Sequence, residues 1–115
     1  MFAAFIDSEP DLENVGILNS ADGLPEAIKH HRPDVVLLDL TMPGRDPLEA
    51  LEEASKAHPE SRIVIVSGYD DAERINTAID RGAWGFVSKH GNAKQVIQCI
   101  RKVAGGEMCM EMAPL

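Results

Sequence analysis

An α/β fold, with a parallel sheet covered by helices on both faces, is what this sequence predicts, and three observations predict it. The runs VVLLDL (Val35 to Leu40) and IVIV (Ile63 to Val66) lack the period-2 alternation of a half-solvated sheet, so they read as strands buried on both faces. The segments between such runs carry apolar residues at helical spacing and are bracketed by helix start and stop residues. Strand and helix then alternate from residue 15 to residue 104, the pattern of an open parallel sheet with right-handed crossovers.

Taken in order, Val15 to Leu18 (VGIL) reads as a weak first strand. Leu24 to His31 reads as a short helix, with Pro25 fixing φ in its first turn and Pro33 closing it. After VVLLDL, Asp46 caps a helix with Pro47 in its first turn, and Leu48, Leu51 and Ala54 share its inward stripe. Residues 70–82 follow IVIV; Asp70 and Asp71 cap a helix that carries Ile75, Ala78 and Ile79 on one face and stops at Gly82. GFVS (Gly85 to Ser88) is the last strand. Asn92 then caps a helix in which Ala93, Val96, Ile97, Ile100, Val103 and Ala104 trace an i, i+3, i+4, i+7 stripe. Beyond Gly105 the sequence GGEMCMEMAPL loses periodicity, so residues 1–105 read as the domain and residues 106–115 as a fraying tail.

Composition bounds the function classes. A chain of 115 residues fits one domain with one core. The 44% hydrophobic and 26% charged fractions are those of a soluble globular protein, and no apolar stretch approaches the roughly 20 residues of a membrane span. The opening MFAAFIDSEP lacks the basic segment of a secretory signal, so the expected location is cytoplasmic. A net charge of -8, with 11 scattered Lys and Arg, argues against nucleic-acid binding by this chain itself. Cys99 and Cys109 lack metal-ligand spacing and read as reduced structural thiols. His30, His31, His58 and His90 also lack ligand spacing and read as surface residues.

In open parallel sheets ligands bind outside the carboxyl ends of the strands. Asp39 ends one strand, Ser67 the next, and Ser88 and Lys89 the last; Asp39 and Ser67 are 28 residues apart, Ser67 and Lys89 22. A carboxylate, a hydroxyl and an ammonium therefore converge on one edge. Such a trio suits acyl-phosphate formation, in which the carboxylate attacks phosphorus while donors and a divalent ion hold the oxygens. In isolation Ser67 reads as a turn serine and Lys89 as a solvated strand-end charge. Asp39 is different, because a carboxylate within VVLLDL is costly unless something nearby uses it.

The blocks PDVVLLDLTMPGRDPLEAL, RIVIVSGYDD and GAWGFVSKH resemble, in order and at family spacing, the three motif blocks of a response-regulator receiver domain, and the ending AGGE resembles the NarL/LuxR-type subgroup. The resemblance implies a flavodoxin-like (CheY-like) doubly wound sheet and a non-enzymatic signalling role in a two-component phosphorelay. It implies that Asp39 accepts a phosphoryl group from a histidine kinase or phosphotransfer protein. It further implies that the Thr41 backbone carbonyl and Asp39 hold Mg²⁺, that Ser67 and Lys89 bind phosphate oxygens, and that Phe86 occupies the aromatic switch position coupled to Ser67. Phe86 also reads as core whatever else it does. Trp84 beside it reads as a binding contact or a packing residue with equal weight.

Three departures from the family pattern stand out. The family begins with a strand ending in two adjacent acidic residues that hold Mg²⁺. FAAFIDSEPDLENVGI instead resembles the second half of the following helix and the second strand, so roughly ten to fifteen residues of the pattern are missing before Met1. A second alignment makes FAAFID the first strand, with Asp7 and Glu9 as substitute acids, but the seven residues from Ser8 to Asn14 are too few for a parallel crossover. Without that central strand the sheet is incomplete, which calls for direct pairing of its neighbours, a homodimer or strand exchange. Mg²⁺ binding and phosphorylation are then expected to be weak or lost. Pro47 stands where the family commonly has glycine, and His90 where many members have proline.

Two function classes follow: a phosphoacceptor receiver that switches a protein-protein surface, and a phosphorylation-independent pseudo-receiver acting as an interaction or dimerisation module. A nucleotide- or flavin-binding protein is a third, poorly supported by the absence of a Gly-rich phosphate loop after any strand.

Overall fold

In the computed structural model of the chain, residues 21–39, 46–67, 72–88 and 93–111 are described. A 3-10 turn at Ala21–Gly23 leads into α1 (Leu24–His31), and there follow β1 (Val35–Asp39), α2 (Pro47–Ala57), β2 (Arg62–Ser67), α3 (Ala72–Asp80), β3 (Gly85–Ser88), α4 (Ala93–Ala104) and β4 (Cys109–Glu111). The expected strand at Val15 to Leu18 and the segment FAAFID, with Asp7 and Glu9, lie outside the described residues, as do the capping candidates Asp70, Asp71 and Asn92.

Local chemistry explains the boundaries. Asp46 Oδ1 accepts from the Leu48 N–H at 3.0 Å, satisfying one of the unpaired donors at the start of α2, while Pro47 occupies the first turn, where no N–H is needed. Helix α1 ends at Arg32, whose φ of 48° is left-handed and whose N–H donates to the Ile28 carbonyl at 2.8 Å. After α3 the chain turns at Gly82 with φ of 115°, a conformation that suits glycine. Any Cβ at Gly82 would stand 2.8 Å from Ser55 Cβ and nearer still to Ser55 Oγ.

The described strands form one parallel sheet in the order β1-β2-β3-β4. Successive side chains of a strand leave on opposite faces, and each face has its own core. Ile63, Ile65, Leu38 and Phe86 pack with Leu24 and Ile28 of α1, Leu48, Leu51 and Ala54 of α2, and Ile75 and Ala78 of α3. On the other face Val64 and Val87 pack with Val96, Cys99, Ile100 and Val103 of α4 and with Cys109 of β4; Val35, Leu37 and Trp84 adjoin this cluster partly buried. Helices thus cover both faces, and the expected stripes of α2, α3 and, from Val96 onward, α4 point inward except at Ala104, which is exposed.

Three sequence expectations are corrected here. Residues 109–111 do not fray: they form β4, paired in parallel with β3 from Gly85↔Cys109 to Val87↔Glu111. The strand order advances in one direction throughout, yet α2 and α3 lie on one face and α4 on the other. The last crossover therefore has the opposite hand to the two before it, and uniformly right-handed connections, the rule for parallel strands, are excluded. Gly85 makes room for this return, because a Cβ there would meet the Cys109 backbone, with Cys109 C 3.0 Å away and its carbonyl oxygen closer. Cys99 and Cys109, expected as separate thiols, are joined as a disulfide with Cα atoms 5.5 Å apart. Their approach is tertiary, created by the return of β4 alongside α4, and no local spacing encodes it.

Candidate functional site

The carboxyl edge of the sheet is built by the ends of β1, β2 and β3. The β1–β2 register pairs Asp39 with Val66, and the β2–β3 register pairs Ser67 with Ser88. Ser67 is therefore one residue beyond the position facing Asp39 on a neighbouring strand about 4.8 Å away. The three strand ends reach the same edge because β1, β2 and β3 pair in parallel, with Ile63, Val64, Ile65 and Val66 buried at the centre. Asp39 is half-buried at that edge. Its position leaves a carboxylate at the margin of an apolar strand, beside the end of β2, with the end of β3 one strand further on.

Of the residues singled out in the sequence, Asp39, Ser67 and Ser88 are brought to one edge as strand-end positions. Thr41, Lys89 and His90 lie outside the described residues. Phe86 lies one strand position before Val87, wholly buried on the face packed by α1, α2 and α3. Trp84 packs partly buried against the opposite face, and the Arg62 guanidinium stacks over its ring. His30 and His31 are exposed and His58 is half-buried; among the described residues no group of three His, Cys, Asp or Glu is assembled that could hold a metal. No described helix is long and apolar enough to cross a membrane.

Two features escaped the sequence reading. Arg62 opens β2 and donates through Nη1 to the carbonyls of Val103 and Ala104 at 3.0 and 3.1 Å, closing the carboxyl end of α4. The only sequence trace of this is a basic residue at a strand start, which carries no address for its partner. The Cys99–Cys109 pair is the other.

Residues 1–101 match the sequence profile of the response regulator receiver domain. The chain belongs to this family. As a receiver it is 34% identical over 96% of its length to the oxygen regulatory protein NreC of Staphylococcus epidermidis, covering 51% of that protein, and 32% identical over 94% of its length to the nitrate/nitrite response regulator protein NarL of Escherichia coli K12, covering 50%. The receiver chain thus spans about half the length of these relatives. Its fold matches that of a LuxR-family two-component response regulator from Aurantimonas sp. SI85-9A1 with a TM-score of 0.89 at 24% identity, over 96% of this chain and 79% of that one. The receiver domain of NtrX from Brucella abortus superposes with a TM-score of 0.80 at 33% identity, over 91% and 88%. The CheY-like doubly wound fold and the receiver assignment read from the sequence both hold. Mg²⁺ takes oxygen ligands and commonly uses one or two carboxylates together with water and substrate phosphate; the half-buried carboxylate of Asp39 at the sheet edge fits as one such ligand.

Proposed function

We propose that this receiver accepts a phosphoryl group on Asp39 from a histidine kinase or phosphotransfer protein of a two-component system, in the cytoplasm, and thereby switches a protein-protein surface. The supporting observation is the placement of Asp39 at the carboxyl end of β1, one residue out of register with Ser67 at the end of β2. A carboxylate oxygen attacks phosphorus, the bond to the donor's imidazole nitrogen breaks, and the imidazole leaves with the electron pair and takes a proton from solvent. Asp39 and the Thr41 carbonyl would hold Mg²⁺, which would supply positive charge for the transferring oxygens, while Ser67 and Lys89 bind the oxygens of the product. The chain is the acceptor in this transfer and not a turnover enzyme.

The acyl phosphate adds about -1.5 to -2 charge and three acceptor oxygens at the edge of β1. Drawing Ser67 towards them shifts the end of β2, and Phe86, packed in the adjacent strand against the α1–α3 face, follows. Incubation with Mg²⁺ and acetyl phosphate tests this. The expected result is a mass increase of one phosphoryl group that disappears in Asp39→Ala. Lack of any adduct, with beryllofluoride also producing no chemical-shift change, would overturn it and leave the phosphorylation-independent interaction module.

A further inference from the structure

The return of the chain after α4 is held in an unusual way. Strand β4 is three residues long, lies at the sheet margin, and arrives through a crossover of the hand opposite to those before it. Short marginal strands open at low cost, because few backbone hydrogen bonds and few apolar contacts restrain them. The Cys109 N–H donates to the Trp84 carbonyl at 3.1 Å and the Glu107 N–H to the Lys102 carbonyl at 2.9 Å, and Gly106 turns with φ of 93°. The ladder to β3 adds three paired positions, and β4 is also fastened covalently. Cys109 is its first residue and 2% exposed, Cys99 lies on the buried stripe of α4 at 0%, and the Cα separation of 5.5 Å is within the range a disulfide spans.

We propose that the Cys99–Cys109 pair is a reversible redox clasp, which fixes β4 to α4 when oxidised and frees it when reduced, leaving the β1–β2–β3 sheet intact. The chemistry is thiol–disulfide exchange with a low-molecular-weight disulfide such as oxidised glutathione. One thiolate attacks a glutathione sulfur and expels one glutathione thiolate. The second protein thiolate then attacks the protein sulfur of the mixed disulfide and expels the other. The protein loses two electrons and two protons, and one glutathione disulfide becomes two thiols, so the step balances. Both sulfurs are buried, and a buried thiol is inert until exposed; opening of β4 supplies the access. The exchange is consequently gated by the same strand whose position it controls.

The test uses the whole chain equilibrated in glutathione buffers from fully reduced to fully oxidised, quenched in acid and alkylated under denaturing conditions. A monomer carrying no alkyl group on the oxidised side and two on the reduced side, interconverting on change of buffer, is expected. Amide exchange at residues 107–111 should be at least about tenfold faster in the reduced form, with the amides of β1 and β2 unchanged. Two alkyl groups at every buffer composition, a persistent glutathione adduct, or a dimer linked between chains would overturn the proposal. So would equal exchange at residues 107–111 in both forms, which would make the bond a fixed tie. The double variant Cys99→Ser, Cys109→Ser should show the fast exchange in every buffer; the wild-type comparison stands without it if that variant does not fold.

Discussion

The guanidinium carbon of Arg62 lies 4.8 Å from the centroid of the Trp84 ring, placing a cation over the aromatic face where the first residue of β2 passes the approach to β3. The same guanidinium donates to the last carbonyls of α4, and its Nε is buried with no hydrogen-bond partner among the described residues. The positive charge sits where the helix dipole is negative. One side chain thus ties the edge of the sheet to the end of the last helix.

Replacing Arg62 by alanine removes two charge-assisted hydrogen bonds and the ring contact together, and should lower stability by about 2 kcal/mol. Arg62→Lys retains the charge without the fork and should recover less than half of that. Urea denaturation at neutral pH measures both; an Arg62→Ala midpoint equal to wild type would show that the contacts contribute nothing net.

Gly82→Ala should cost about 2 kcal/mol or more, since an alanine at φ of 115° is strained and its Cβ collides with Ser55. The two causes separate in a double variant. With Ser55→Ala the collision eases while the dihedral strain persists, so Gly82→Ala in that background should still cost about 1 kcal/mol. Complete rescue in thermal melts would locate the whole effect in the collision.

Phe86 is fully buried among the side chains of the first core cluster. Phe86→Ala should destabilise by about 3–5 kcal/mol through the cavity it leaves, and Phe86→Leu by roughly 1–2. For this reason the leucine variant is the one to compare in phosphorylation experiments; chemical denaturation with an unchanged slope is the check that it retains the native fold.

Glu52 accepts from Lys56 Nζ at 3.0 Å one helical turn away, and Arg81 Nε lies 3.8 Å from its other oxygen. The hydrogen bond and charge of Lys56, and secondarily the charge of Arg81, hold its carboxyl below the ordinary 4.5. A carboxyl depressed in the folded state contributes stability above its unfolded value and loses it as pH falls through the folded one. The contribution should therefore be present at neutral pH and fade below about 4.5. Lys56 is exposed and Glu52 and Arg81 partly so, which leaves them open to screening by salt, so a carbon-detected titration of Glu52 should move back towards the ordinary value at high ionic strength. An unchanged midpoint would contradict the ionic origin.

Much of the sheet was legible because its strands are apolar on both faces: VVLLDL and IVIV cannot face water, and strands β1 to β3 fall on the expected runs. Helix starts were legible where one residue carries the signal, as Asp46 and Pro47 do for α2. The edge shared by Asp39 and Ser67 followed from parallel topology, a rule of folds and not of spacing. Strand β4 was not legible. Three residues, Cys109 to Glu111, show no period, their pairing depends on the absence of a side chain at Gly85, and their crossover departs from the usual hand. The partners of Arg62 and Cys99 were hidden for a related reason, since each is brought close by the path of the backbone after α4.

Gly85 gives that path a genetic signature. Its missing side chain is a socket moulded to the main chain of Cys109, so the tolerance of position 85 to alanine reports on the fourth strand. In a saturation screen, intolerance there would mark a lineage that keeps the docked C-terminal segment, and free variation one that has let it go.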